Sequence, residues 1–287
     1  MRGEYQQLVD EISAALGAPA TLEDRDFGLI AFGAHGGDDD LELSMDPVRT
    51  RSILQRRSTA AVRAWFEGFG IARAQSPLRI PPDPAAGVFK GRICLPVRHR
   101  GVVHGYVWLL DDGPLSGLEL GPRGMDARLV QAMETAARIG ALLAAEARAG
   151  AELGELLREL LTARPAAAEA ARAALREALG PAADGPLALV AVVPWRPTGE
   201  GDGEDGGASA LAAQSGVAAM CPLPGALPDG SAALAALVRL RATTSQAPAR
   251  TAADRLHAVK PEADVLGVAD HAAGQPPLEL VCGLCLA

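Results

Sequence analysis

The segment "GRICLPVRHRGVVHGYVWLLDD", residues 91–112, decides how the first half of the chain folds. Two apolar runs flank Arg100-Gly101, a pattern that predicts a β-hairpin with a two-residue turn. Pairing outward from that turn sets His99 opposite Val102, Val97 opposite His104, Leu95 opposite Tyr106 and Ile93 opposite Trp108. One face of the hairpin then carries His104, Tyr106 and Trp108, in a protein that is only 3% aromatic.

This aromatic face has two interpretations. In the first interpretation, the face lines a small-molecule cavity, in which the polar ends of the side chains orient a ligand. Alternatively, it belongs to the hydrophobic core, and His104 is hydrogen-bonded to a neighbour. The choice depends on the pairing register, because a shift of one residue exchanges the two faces of a strand.

The segments around the hairpin predict a mixed first half. Residues 4–16 have helical periodicity, and "ATLED" and "FGLIAFG" are short strand candidates. Asp46-Pro47 is a helix start, and Ser58 is a candidate N-cap for a second helix. After it, one helical face carries Val62, Trp65, Phe66 and Phe69. Residues 76–90 are expected to form a Pro-rich loop.

The second half begins with a long helix and continues as alternating strands and helices. The helical pattern runs from Met125 to Leu161, and an alanine-rich helix follows Arg164-Pro165. Strands are predicted in "PLALVAVVPW", "LAALVRLR" and "DVLGVAD", with a helix in "ARTAADRLHAV". We therefore expect an α+β fold with three parts: a sensor domain over 1–120, a long signalling helix and helical linker over 121–181, and an incomplete α/β domain over 182–287.

The long helix also suggests self-association. Small and apolar residues follow a 4,3 spacing along it, a heptad-like pattern that predicts a homodimer through residues 125–161. The positions are Leu129, Met133, Ala136, Gly140, Leu143, Ala147, Gly150, Gly154, Leu157 and Leu161.

Composition excludes several classes of function. A net charge of −8 argues against broad binding to nucleic acid. The amino terminus has no apolar signal segment, and no uncharged run is long enough to cross a bilayer, so we expect a soluble cytoplasmic protein without a membrane partner. The acidic stretches "GGDDD" (36–40) and "GDGED" (201–205) resemble metal-binding loops but are better interpreted as solvated loops. The pair Cys282–Cys285 has no second pair of matching spacing. We expect no metal, no cofactor and no catalytic residue.

Arginines form a local excess in the middle of the first domain. Five of them occur without an acidic residue among them: Arg49, Arg51, Arg56, Arg57 and Arg63. Guanidinium groups match carboxylates and phosphates, so the cluster is a candidate anion site. The alternative is a solvated helix face that pairs with Asp38–Asp40.

Three segments together resemble the N-terminal sensing region of PucR/CdaR-type transcriptional regulators of actinobacteria. They are "LEDRDFGLIAFG", "RTRSILQRRSTAAVRAWFEGFGI" and "ICLPVRHRGVVHGYVWLLDD". The later segments "ALVAVVPW", "ALVRLR" and "ARTAADRL" resemble the degenerate GGDEF-like domain of that family. The resemblance implies a GAF-like sensor, a signalling helix and a GGDEF-like domain. The helix-turn-helix that binds DNA in the family has no counterpart before "LELVCGLCLA", so DNA binding is expected only through a segment missing from this chain.

The resulting prediction is a ligand-sensing regulatory region that binds a small metabolite. The helices over 47–69 would cover the hairpin and leave a cavity with aromatic walls and polar contacts. The predicted ligand-binding residues are Arg49, Arg51, Arg56, Trp65, Phe66, His104, Tyr106 and Trp108. Two alternatives stay open: a nucleotide-handling enzyme that uses the cyclase-like half, and a dimerisation scaffold without a ligand.

Overall fold

The computed structural model describes residues 2–33, 47–56, 58–111, 115–121, 124–195, 216–226, 229–242, 245–259 and 264–268. The chain divides into two compact units, Met1–Glu146 and Ala147–Ala287. Several features singled out in the sequence lie outside the described residues: "GGDDD", "GDGED", Arg57, Cys282–Cys285 and the C-terminal "LELVCGLCLA".

The first unit is built on a five-stranded antiparallel sheet with the strand order β2-β1-β5-β4-β3. Its elements are α1 (Arg2–Leu16), β1 (Ala20–Asp24), β2 (Leu29–Phe32), α2 (Pro47–Gln55), α3 (Ala60–Glu67), β3 (Leu78–Ile80), β4 (Arg92–His99), β5 (Val102–Leu110) and the first part of α4 (Ala127–Thr162). The segment 76–90, expected to be a loop, contains the short edge strand β3.

The two faces of this sheet bury different kinds of side chain. Aliphatic residues of one face, such as Leu95 and Val107, pack against α1 and α4. The opposite face packs an aromatic cluster under α3, in which Phe27, Phe66 and Trp108 are buried. The rings of Phe66 and Trp108 lie 4.5 Å apart, and those of Phe27 and Trp108 lie 5.9 Å apart. The sheet therefore has an aliphatic face and an aromatic face.

The predicted hairpin exists, but its predicted register is wrong beyond the turn. His99 pairs with Val102 as expected, whereas Val97 pairs with Gly105, Leu95 with Val107 and Ile93 with Leu109. A β-bulge shifts the register between Val97 and Arg98, and His104 is the unpaired extra residue. The shift moves Tyr106 and Trp108 to the face of Cys94, opposite Ile93, Leu95 and Val97.

The bulge has a steric reason in β1. A Cβ atom on Gly105 would lie 2.4 Å from the backbone oxygen of Glu23, closer than side chains are found. A glycine is therefore needed where β5 passes β1 at this point.

Helix α3 differs from the prediction at both ends. Its N-cap is Thr59, whose side chain accepts a hydrogen bond from the Val62 backbone nitrogen at 3.3 Å, and not Ser58. The helix ends at Glu67, so Phe69 lies beyond it and is partly exposed. Ser58 is left available for a buried contact with the sheet.

Helix α4 was predicted over 125–161 and spans Ala127–Thr162. Its apolar positions are used within each unit. Leu129 and Ala136 are buried in the aliphatic core of the first unit, and Leu157 is buried in the second. Two of its glycines touch strand backbone: a Cβ on Gly140 would lie 2.3 Å from the Arg98 carbonyl oxygen, and one on Gly154 2.4 Å from that of Met220. These intramolecular contacts account for several positions of the 4,3 pattern, whereas Ala147 and Gly150 are exposed. The homodimer stays a prediction.

The second unit contains a four-stranded antiparallel sheet with the order β7-β8-β6-β9. Its elements after α4 are α5 (Pro165–Leu179), β6 (Leu187–Trp195), β7 (Val217–Leu223), β8 (Ala232–Arg239), α6 (Ala247–Val259) and β9 (Asp264–Val268). One face packs on α5 and the end of α4, and the other packs on α6. Strand β7 was not predicted, while the other three strands were.

The expected fold class is confirmed: the chain is α+β, with a sheet in each unit and a long helix. None of the helices in the described part of the chain combines the length and the apolar character needed to cross a bilayer. The predicted boundaries at 120 and 181 stay predictions. The compact units meet inside α4.

Candidate functional site

A small, partly open cavity lies between the aromatic face of the first sheet and the helices that cover it. Its volume is about 20 Å³, close to the space that one water molecule needs. Strands β1, β4 and β5 form one wall, and α2, Ser58 and α3 form the other. The lining residues are Thr21, Glu23, Val48, Arg49, Ser52, Ser58, Phe66, Arg92, Trp108, Leu109 and Leu110.

Glu23 is the unusual group of this cavity. It is 3% exposed although it carries a carboxyl group in the middle of a sheet. Desolvation raises the pKa of Glu23 to about 7, helped by the negative charge of Asp24. The hydroxyl groups of Ser52 and Ser58 counteract this rise, and Ser58 Oγ donates to Glu23 Oε1 at 3.3 Å. The carboxyl group therefore changes its charge near neutral pH.

Two serines link this carboxyl group to the covering helix. Ser52 Oγ of α2 and Ser58 Oγ lie 2.8 Å apart, within hydrogen-bond distance. Ser52 is itself buried, on the face of α2 that points toward the sheet. The position of α2 is thus coupled to the hydrogen bonds of Glu23.

Trp108 contributes an unsatisfied donor to the same cavity. Its side chain is 7% exposed, and its indole Nε1 makes no hydrogen bond of normal geometry. The N–H group lies near enough to Glu23 to interact with that carboxyl group and lower its pKa, although their geometry falls outside that of a hydrogen bond. A buried donor without an acceptor costs free energy, which marks this point as a place where an acceptor belongs.

Two arginines place positive charge at the edge of the cavity. Arg49 of α2 donates from Nε to Thr21 Oγ1 at 3.3 Å and from Nη2 to the Gly33 carbonyl oxygen at 3.1 Å. Arg92 is 4% exposed, and its Nη1 donates to the Lys90 carbonyl oxygen at 3.1 Å. Arg49 therefore holds α2 against β1, and the guanidinium group of Arg92 is a buried positive charge.

Three of the eight predicted ligand-binding residues line the cavity: Arg49, Phe66 and Trp108. Tyr106 is buried in the aromatic cluster, where its ring lies 5.5 Å from Phe27. Trp65 is half-buried, and its Nε1 donates to Asp83 Oδ2 at 3.2 Å, away from the cavity.

The other three predicted residues lie elsewhere. Arg51 is exposed on the outer face of α2, beside Leu54 and Gln55. Arg56 is exposed and donates to the Leu29 carbonyl oxygen at 3.1 Å. His104 is half-buried in the bulge, where burial and then the charge of Arg25 lower its pKa. The binding roles assigned to these side chains stay predictions.

The sequence analysis missed most of the polar wall. Glu23, Ser52, Ser58 and Arg92 were not proposed as site residues, and they supply the buried carboxyl, hydroxyl and guanidinium groups. A signal did exist for β1: Thr21 and Glu23 alternate with Ala20 and Leu22, and all five strand residues are buried. A polar face on a central strand has to be covered by something, here α2.

Among the residues that the structure describes, no group of three or more histidine, cysteine or acidic side chains is arranged to hold a metal ion. Cys94 borders the aromatic cluster, and burial raises the pKa of its thiol well above the ordinary value. The side chains that line the cavity supply hydrogen-bond donors and acceptors, positive charge and a carboxyl group with a raised pKa.

Comparisons with known proteins give one weak sequence match and several matches to solved structures. No protein-family model matches the chain. It is 26% identical over 110 residues to the DNA-binding transcriptional activator AdeR of Bacillus subtilis (strain 168). The match covers 37% of this chain and 24% of AdeR, so the chain spans about a quarter of that curated relative.

One of the matching solved structures is PelD 156-455 from Pseudomonas aeruginosa PA14 in complex with c-di-GMP. It covers 99% of this chain and 87% of that chain, with 15% sequence identity and a TM-score of 0.24. A TM-score of this size does not establish a common fold.

Proposed function

We propose that the first unit senses a small metabolite and belongs to a transcriptional regulator of the PucR/CdaR type that acts in the cytoplasm. The observation that carries this proposal is the small polar cavity, with the Glu23 carboxyl group and the unsatisfied Trp108 N–H at one point of an otherwise apolar core. A purely structural core has no need for such groups, because buried polar atoms without partners lower stability.

The architecture of the first unit supports a GAF-like sensor. The helices over 47–67 cover one face of the hairpin sheet and enclose the cavity, as the sequence resemblance implies. The opposite face packs on α4. A ligand that changes the position of α2 would act on the sheet, and through it on α4, by shifting the population of two arrangements.

The relative AdeR supports a role in transcription rather than in catalysis. Its name describes a DNA-binding activator, and we propose that a DNA-binding segment outside this chain receives the signal. The second unit is proposed to be the degenerate GGDEF-like domain, which would pass the signal on without acting as a cyclase.

A thermal-shift screen of the full chain against a metabolite library tests the sensing role. We expect at least one metabolite to raise the melting temperature, because a ligand that binds only the folded state stabilises it by mass action. Ser52→Leu fills the cavity and should abolish this increase. Thr50→Leu, on the outer face of the same helix, is the matched control and should retain it.

Two results would count against the sensing role. One is a library without any stabilising compound. The other is a compound whose effect survives Ser52→Leu but is lost in Thr50→Leu, which would place the binding site outside the cavity.

A further inference from the structure

Donors outnumber acceptors around the cavity. The indole of Trp108 and the guanidinium groups of Arg49 and Arg92 can only donate, and the serine hydroxyl groups can do either. Glu23 is the one carboxyl group among the lining residues. Both guanidinium groups already donate to acceptors of the chain. The indole N–H group is the lining donor without a hydrogen-bond partner, so a complementary ligand brings an acceptor to it.

We propose that the cavity binds the carboxylate group of a small organic acid, and that Glu23 takes up a proton from solvent when this anion enters. The proposal deepens the sensing function above and depends on it. One carboxylate oxygen accepts from Trp108 Nε1, and protonated Glu23 donates its O–H to the other. The apolar surroundings of Phe66 strengthen both hydrogen bonds.

The unsatisfied indole is the geometric basis of this assignment. Trp108 Nε1 is fully buried and has no acceptor. The indole also lies close to Glu23. It lowers the pKa of Glu23, but this effect is smaller than the increase that burial causes. A ligand carboxylate between Trp108 and Glu23 gives the indole N–H group an acceptor. It also favours protonation of Glu23, because the protonated carboxyl group can donate to the ligand.

A proton must accompany the anion because of the charge on Glu23. An ionised Glu23 would repel an incoming carboxylate in a buried site, and protonation removes that repulsion. The groups near Glu23 come from every element packed against it: Asp24 on its own strand, Cys94 and Arg92 on β4, Trp108 on β5, Arg49 and Ser52 on α2, and Ser58 before α3. The negative charge of Asp24 favours the proton, and the two arginines favour the anion.

The cavity has to enlarge to admit such a ligand, since its volume of about 20 Å³ holds roughly one water molecule. The contacts that hold α2 against the sheet include polar ones: the Ser52–Ser58 hydroxyl pair and the bonds from Arg49 to Thr21 and to the Gly33 carbonyl oxygen. Val48 adds an apolar contact with the aromatic cluster. A carboxylate competes for the donors of the polar contacts. Entry of the ligand and displacement of α2 are therefore one event.

The test uses three small probes that share a three-carbon chain: propionate, propionamide and propylamine. Each is titrated into the full ¹⁵N-labelled chain at pH 6 and pH 8, and the indole N–H resonance of Trp108 is followed. We expect propionate to bind at least 10-fold more tightly than the other two and to move this resonance downfield. With the pKa of Glu23 at about 7, its protonated fraction falls roughly 10-fold between pH 6 and pH 8, so affinity for propionate should fall by the same factor.

Three variants separate the roles of the two groups. Trp108→Phe keeps an aromatic ring but removes the donor. Its propionate titration is followed through the backbone amide resonances of β1 and β5, as is a repeat titration of the parent, and binding should weaken at least 10-fold while the chain stays folded. Glu23→Gln should remove the pH dependence. Trp65→Phe is the control, because the Trp65 N–H is bonded to Asp83 outside the cavity, and it should bind propionate as the parent does.

Each contrary outcome is distinguishable from failure of the sensing role. Tighter binding of propylamine or propionamide, lost in Trp108→Phe, would refute the organic-acid class but keep the cavity as a sensor. Propionate binding that is unchanged in Trp108→Phe, or absent altogether, would also overturn the proposal. The sensing role would then depend on the metabolite screen with Ser52→Leu alone.

Discussion

The substitution Glu23→Gln should make the first unit more stable at neutral pH and leave it unchanged in mild acid. Burial raises the pKa of Glu23 from 4.5 to about 7. One pKa unit corresponds to about 1.4 kcal/mol, so an ionised Glu23 lowers the free energy of unfolding by roughly 3 kcal/mol. Glutamine has nearly the same shape, can still accept from Ser58, and carries no charge at any pH.

The sign of the pH dependence follows from proton binding. Between pH 4.5 and pH 7 the folded chain holds more protons at this site than the unfolded chain, so the stability of the parent falls as the pH rises. The difference between variant and parent should therefore grow from near zero at pH 4.5 to roughly 3 kcal/mol at pH 8 and then stay constant.

Urea denaturation at several pH values measures this difference. A Trp195→Phe background removes the tryptophan of the second unit, so that fluorescence reports only Trp65 and Trp108. Glu119→Gln removes an exposed carboxylate of the same unit and serves as the control for the change in net charge. A difference for Glu23→Gln that does not vary with pH, or that matches the control, would refute the assignment of Glu23 as a buried group titrating near pH 7.

Three further predictions concern the packing of each unit. Gly140→Val should destabilise the first unit by about 2 kcal/mol or more, because a side chain there meets the Arg98 carbonyl oxygen. Gly150→Ala, which has open space around it, should instead stabilise α4 by up to about 1 kcal/mol. The denaturation midpoints of the two variants measure both effects. Leu157→Glu should destabilise the second unit by more than about 3 kcal/mol while the first unit melts normally, because Leu157 is fully buried in the second unit. If light scattering instead shows a chain that stays folded but dissociates, the result would favour the predicted homodimer through residues 125–161. Cys94, in a chain whose other cysteines are replaced by alanine, should react with a thiol reagent only after the first unit unfolds, because it is buried and burial raises its pKa; rapid labelling of the native chain would contradict its burial.

The secondary structure was largely predictable because its signals are local. The hairpin turn at Arg100-Gly101, the long helix before Arg164-Pro165 and the apolar run of β6 each carry their own pattern of periodicity and breakers. The strand β7 was missed because its segment, rich in alanine and interrupted by Pro222, lacks the β-branched residues that favour strands.

The pairing register was not predictable from the turn alone. The bulge at His104 depends on how close β5 comes to the backbone of Glu23, which is a contact between distant segments. Gly105 was the available signal, because a glycine inside a strand often marks a bulge or a close backbone approach. Without that shift, Tyr106 and Trp108 were assigned to the wrong face.

The polar residues that line the cavity could not be predicted from the sequence for a related reason. The carboxyl group of Glu23 becomes buried only when α2, more than twenty residues later, covers β1. Ser52 and Ser58 become site residues through the same event. Arg49 and Trp108 were identified because an arginine cluster and an alternating aromatic strand are visible without the fold.

The close approach of β1 and β5 also offers a route from the cavity to α4 for the signal proposed above. Glu23 supplies a side chain to the cavity while its backbone oxygen faces Gly105, so that β1 and β5 meet there without an intervening side chain. Gly105 pairs with Val97, the neighbour of Arg98, and the Arg98 carbonyl oxygen in turn lies against Gly140 of α4. Side chains absorb small displacements by changing rotamer, whereas backbone pressed on backbone cannot. If α2 opens as proposed, a displacement of β1 would be passed across the sheet to α4, and added side chains at the two glycines would interrupt it.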